Sequence, residues 1–309
     1  MTIKFQAKHK SGFTVDHPLT PFTFPAGEAH IKGDEKFVAA DYKYSIADLR
    51  GHDPQDLFHL AMFNETLVES AVDEGVDAPL VILLPYLPGA RADRGNPLGA
   101  AVYASFINDI VPTLVITLDP HSHVMPELLA NLTVFPFARI IKNEIQDGSS
   151  DSAPQPYVGV IAPDKGARER AAAAATVMGV PVYTAGKTRN FETGQLTGFH
   201  MEDELPSDGK FLIVDDICDG GGTFIGLANA IHETNPNVIL DLWVTHGVFS
   251  QGWSKVLGGE DPLTQINHIH TTDSYYVPSG TEVGYVTVHK LAPYLYPEIN
   301  NYFADSSAL

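Results

Sequence analysis

Residues 211–230, FLIVDDICDGGGTFIGLANA, limit what this chain can fold into more than any other stretch. Four apolar residues read as a strand buried on both faces. Asp215 and Asp216 follow at its carboxyl end. Asp219, Gly220, Gly221, Gly222 and Thr223 then make a turn, and helical spacing begins at Phe224. Consecutive glycines let backbone N–H groups converge on an anion. The positive end of the next helix adds to that field, so a phosphate can be held without a lysine. Two carboxylates would repel that phosphate unless they face something else. Paired sugar hydroxyls are the natural choice, since carboxylates accept their hydrogen bonds, and a divalent cation would also relieve the repulsion. The stretch therefore reads as a sugar-phosphate site, with the acids on the diol and the turn on the phosphate. For a bare run of three glycines the plain reading is a surface turn. The pattern is not a P-loop, because no Lys follows Gly222. It also lacks the G-x-G-x-x-G of dinucleotide sites.

The same grammar recurs along the chain. Short Val, Ile and Leu runs stand at 80–84, 113–118, 157–161, 180–183, 211–214 and 238–244. Amphipathic or Ala-rich stretches at 57–73, 167–178 and 224–232 separate some of them. Strand, loop and helix in alternation predict an α/β fold with ligands at the carboxyl ends of the strands. Residues 143–156, NEIQDGSSDSAPQP, are polar without periodicity and read as a linker near the middle of 309 residues. Two domains are expected, 1–145 and 146–309. With 19 Lys and Arg against 38 Asp and Glu, the formal charge is −19. That balance argues against nucleic acid or an anionic membrane as partner. One cysteine, Cys218, excludes an internal disulfide or a Cys-rich zinc site. No run is long and apolar enough to span a bilayer, and no signal peptide opens the chain, so a cytoplasmic protein is expected.

Three further segments carry candidate chemistry. Residues 117–123, TLDPHSH, place Asp119 and His121 two apart past a strand, where both side chains point the same way. They suit a shared Mg2+ shell or an ordinary turn. In 161–170, IAPDKGARER, Asp164 stands at a strand's carboxyl end; it is a metal ligand or a helix cap. In 184–190, TAGKTRN, Lys187 and Arg189 form a cationic loop or a solvated turn.

The glycine turn resembles the sugar-phosphate loop of type I phosphoribosyltransferases. In order along most of the chain, the other segments resemble the ribose-phosphate pyrophosphokinase family. The resemblance implies two phosphoribosyltransferase-like domains, each a largely parallel sheet flanked by helices, and lets the last residues return to the first domain. It gives His121 metal and phosphate contact, with Asp119 as companion, and makes Asp164 a metal ligand. It makes Lys187 and Arg189 the cations that neutralise the transferred group. Residues 85–93, PYLPGARAD, match an ATP-contacting segment at Arg91 and Asp93, with Ala92 replacing a Gln. Residues 22–28, FTFPAGE, match at Phe24 and Glu28 a loop that holds adenine from a neighbouring subunit. There Ala26 replaces an acid or amide, and plain core is the other reading of Phe24. THGVFS at 245–250 also matches a family segment near the sugar site, and Gly220 departs from a usual Thr.

The implied activity is Mg2+-dependent transfer of the β,γ-diphosphoryl group of ATP to ribose 5-phosphate, giving phosphoribosyl pyrophosphate and AMP. The implied assembly is a homo-oligomer, a dimer or a hexamer. The altered loops leave two alternatives: the same chemistry on ADP-ribose, and a non-catalytic regulator of the enzyme.

Overall fold

The computed structural model describes residues 3–33, 37–51, 53–146, 156–189, 196–252, 266–275 and 285–306, without the side chains of 188, 189, 196, 197 and 306. The chain divides into two compact units. The first is Met1–Phe135 with Ser274–Tyr276 and Ala292–Leu309; the second is Pro136–Asp273 with Val277–Leu291.

The first unit holds β1 (Ile3–His9), β2 (Thr14–Asp16), β3 (Leu19–Thr23), β4 (Ala29–Gly33), β5 (Tyr42–Leu49), β6 (Leu80–Leu83), β7 (Leu114–Leu118) and β8 (Leu132–Phe135). Six of these form one sheet in the order β2-β1-β5-β6-β7-β8. From β5 to β8 the strands are parallel, while β1 is antiparallel to both neighbours. Every residue of β6 and β7 is buried, which is why LVIL and LVITL show no polar alternation. β3 and β4 pair as a separate hairpin.

Helix α1 (Pro54–Glu74) starts where the Asp53 side chain accepts from Gln55 N–H and Pro54 opens the first turn. It stops at Gly75, whose φ of +67° is the left-handed cap that glycine adopts freely. Leu57, Leu60, Phe63 and Leu67 bury its inner face. Helices α2 (Gly99–Asp109) and α3 (Val124–Leu128) complete this part of the unit.

The second unit begins with α4 (Ala138–Ile141), and a helical turn continues it over Lys142–Gln146. The first part of the expected linker is thus helical, and 147–155 lie outside the described residues. Then come β9 (Tyr157–Ala162), α5 (Arg168–Met178), β10 (Val182–Arg189), β11 (Leu196–Met201), β12 (Asp208–Cys218), α6 (Gly222–Thr234), β13 (Asn237–Gly247), β14 (His268–Thr272) and β15 (Val286–His289). Seven strands make the sheet β11-β10-β9-β12-β13-β14-β15. Only β10 with β11 is antiparallel. Each unit is thus a largely parallel sheet with helices, the α/β architecture expected from sequence.

The last helix, α7 (Ala292–Ser306), belongs to the first unit. The Tyr44 hydroxyl on β5 donates to Asn300 Oδ1 at 3.0 Å, and its ring stacks on Phe303 at 4.3 Å. The Tyr296 hydroxyl bonds Gln6 on β1. Among the described residues no helix is long and apolar enough to cross a membrane.

Candidate active site

β12 runs four residues further than its apolar core suggests, pairing with β13 up to Cys218 beside Gly247. Asp215 and Asp216 therefore lie within the strand rather than beyond its end. An equally long neighbour supplies the hydrogen bonds that carry the strand through these polar residues. Asp216 is buried and Asp215 largely so. Arg170, from the first turn of α5, places Nη1 3.5 Å from Asp215 Oδ1 and 3.8 Å from Asp216 Oδ1. Burial pushes the Asp215 carboxyl up to about 8, the neighbouring Asp216 adds to this, and Arg170 opposes it only in part.

The glycine turn is pinned from one side. Asp219 Oδ1 accepts from Ser250 N–H at 3.1 Å and from the Ser250 hydroxyl at 2.5 Å. The Cys218 carbonyl accepts from the amides of Val248 and Phe249 at 2.9 and 3.2 Å. Burial, then the Asp219 and Asp215 charges, push the Cys218 thiol up to about 12, so it is an inert packing group. Gly221 caps α6 at φ +73°, and no side chain caps that helix end. The left-handed φ makes glycine the favoured residue at 221. At Gly222 a Cβ would meet nothing within 4 Å. Thr223, the loop's one hydroxyl, is half-buried in the first turn of α6.

Asp164 follows β9. Its Oδ1 accepts from the amides of Gly166 and Ala167 at 2.9 and 3.3 Å, so the helix-cap reading is present. Its Oδ2 lies 2.6 Å from Lys187 Nζ. Burial alone would raise this carboxyl; Lys187 and the two amides outweigh it and hold it below the usual carboxylate range. Lys187 and Arg189 lie on β10, not in a free loop, because β11 folds back antiparallel and sets Lys187 opposite Phe199. The Arg189 side chain and residues 190–195 lie outside the described set. Asp164, Lys187, His200 and Glu202 share a cavity of about 630 Å³.

In the first unit, Asp119 ends β7, buried, at φ +41°. A non-glycine residue held there is a strained feature of the kind that collects at functional sites. His121, two residues on, is exposed. Arg91 is exposed and Asp93 half-buried after β6. Phe24 is 45 % exposed, so the core reading fails. Its ring stacks on His30 at 5.7 Å. The turn carrying Phe24 and Glu28 is braced from α1, where Gln55 Nε2 donates to the Gly27 carbonyl at 2.9 Å.

Sequence reasoning passed over Arg170 and Ser250, although both lie in segments singled out. The available signal for Arg170 was a scarce cation one turn beyond Asp164. Among the described residues no three of His, Cys, Asp and Glu converge to cage a metal. Mg2+ keeps several waters and is commonly held by one or two carboxylates plus substrate phosphates. Within the first unit Asp119 and His121 stand two residues apart after β7, and within the second Asp164 follows β9, each a donor type suited to that sparse role.

A phosphoribosyl transferase domain model matches residues 132–245, the stretch from β8 through most of β13. Acid pair, glycine turn and capped helix on a parallel sheet make this a phosphoribosyltransferase-fold protein. A ribose-phosphate pyrophosphokinase of Thermococcus kodakarensis is 29 % identical over 264 residues, covering 80 % of this chain and 84 % of that protein. One from Corynebacterium glutamicum is 26 % identical and covers 94 % of this chain and 86 % of its own length. A phosphoribosylpyrophosphate synthetase structure from Mycobacterium smegmatis shares the fold, with a TM-score of 0.76, 20 % identity, and cover of 94 % and 92 % of the two chains. Along most of its length the chain is similar to ribose-phosphate pyrophosphokinases.

Proposed function

We propose that the chain transfers the β,γ-diphosphoryl group of ATP to the anomeric hydroxyl of ribose 5-phosphate. The observation that carries this is the buried Asp215–Asp216 pair, bridged by Arg170, beside the glycine turn that opens α6. The acids accept the sugar's two ring hydroxyls. Backbone amides from Asp219 to Thr223 hold the 5-phosphate. That fixes the anomeric oxygen for attack on the β-phosphorus. The new O–P bond forms as the bond from the β-phosphorus to the α,β-bridging oxygen breaks. AMP leaves with that electron pair, and the hydroxyl proton passes to water. Lys187 and Arg189 neutralise charge on the diphosphoryl oxygens; to do so, Lys187 must exchange Asp164 for phosphate. Phe24, Glu28, Arg91 and Asp93 are assigned to ATP, with the exposed Phe24 ring as a stacking face for adenine.

Asp119 and His121 in the first unit, and Asp164 in the second, are each assigned to contact with Mg2+ brought with ATP. When bound, the ion offsets phosphate charge. A homo-oligomer, dimer or hexamer, with a cytoplasmic location and no nucleic-acid or membrane partner, completes the reading. The named relatives favour neither ADP-ribose as acceptor nor a non-catalytic regulator. The test is AMP release from Mg-ATP with ribose 5-phosphate or ADP-ribose supplied in turn. Release with ribose 5-phosphate is expected, and its absence would refute the proposal.

A further inference from the structure

The turn after β13 runs in step with the glycine turn. Val248 and Phe249 bond the Cys218 carbonyl, and Ser250 bonds Asp219 through both its amide and its hydroxyl. The next residue, Gln251, brings its side-chain nitrogen to 3.9 Å from where a Cβ on Gly220 would stand. The turn is closed by the Gly252 amide on the Phe249 carbonyl at 2.8 Å. Phe249 is buried and held at φ +41°. A non-glycine residue in that region needs surroundings that hold it there.

From Asp219 to Thr223 the glycine turn has no cation, and its one hydroxyl is at the far end, on Thr223. Its Gly220 end has no side-chain donor of its own. A lysine brought there would be drawn to Asp215, Asp216 or Asp219. A primary amide offers two N–H donors and no charge for those acids to capture. Resting on the sugar-phosphate reading above, we infer that Gln251 is a further binding residue, donating a side-chain N–H to the sugar's phosphate over Gly220. Ser250 is the positioning residue that keeps it there.

The test is calorimetric titration of the full chain with ribose 5-phosphate, for the wild type, Gln251→Ala and Gln251→Glu. Loss of one donor to a charged oxygen is expected to weaken binding about tenfold in Q251A. Q251E keeps the length but faces the phosphate with a carboxylate, and should bind more weakly still. KM for ATP should stay within about twofold of wild type in both. Wild-type binding with Q251A unchanged, or with Q251E tighter than Q251A, would overturn the role of Gln251 alone. No binding by the folded wild type would overturn the sugar-phosphate reading and this inference with it.

Discussion

Asp215→Asn should stabilise the second unit while weakening sugar binding. Asp215 is held at about 8, against an ordinary 3.8, chiefly by burial and then by Asp216. A carboxyl raised on folding contributes nothing at low pH, where both folded and unfolded chains are protonated. As pH rises past about 4 the unfolded chain ionises and the folded one does not, so stability falls until about pH 8. The gap corresponds to about 6 kcal/mol at most. The neutral amide removes that penalty. It also keeps an acceptor for the Asp216 N–H, now 2.9 Å from Asp215 Oδ1, and leaves Arg170 beside Asp216. Allowing for the lost Arg170 contact, a gain of about 2 kcal/mol above pH 8 is expected, or about 4–8 °C in Tm for a unit this size. The gain should vanish and reverse towards pH 4, where the wild type no longer carries the penalty but the variant still lacks the Arg170 contact. Thermal unfolding of both proteins from pH 4 to 9 reads it directly, with KM for ribose 5-phosphate expected to rise. A pH-independent difference, or a variant less stable at pH 9, would refute the reasoning.

Lys187→Ala should lower kcat about 100-fold or more with KM for either substrate within about threefold, measured by steady-state AMP release; an unchanged kcat removes Lys187 from catalysis. Asp241, fully buried, accepts from Tyr157 at 2.5 Å and Asn267 at 2.9 Å and pairs with Lys210 at 2.7 Å. Asp241→Ala should therefore cost about 3–5 kcal/mol by denaturant titration. His270 lies against His268 and 3.2 Å from His289, with Asp241 on the neighbouring β13, Lys210 on β12 beyond it, and Glu144 on His289. Burial, then the other two histidines, lower it well below its ordinary value. Its folded form resists protonation, so it withdraws stability as pH falls below about 6.5. Between pH 7.5 and 5.5, His270→Gln should lose about 1 kcal/mol less stability than wild type.

The parallel strands were legible because burial on both faces leaves almost only apolar residues, as in LVILL at 80–84 and, apart from the paired Asp241, VILDLWV at 238–244. α1, α5 and α6 were legible from their spacing and their glycine or proline punctuation. β1 to β5 were not. IKFQAKH alternates beside the short, largely exposed TVD of β2 at the antiparallel edge, while β5, though largely buried, mixes polar residues into YKYSIADL. Polar extensions were missed too. Asp215 to Cys218 and Ala185 to Arg189 carry strand structure only because β13, about 30 residues on, and β11, which folds straight back, supply partners. In the site, the residue types and their order could be read. The pairings could not, since Arg170 with Asp215 and Ser250 with Asp219 join positions 45 and 31 residues apart.

The first unit is interrupted in sequence. α7 is translated only after the whole second unit, yet Tyr44, Gln6 and Phe303 meet in one cluster. A chain cut before residue 292 would keep every described strand of the second unit, yet leave the Tyr44 ring without Phe303 and Gln6 without the Tyr296 hydroxyl.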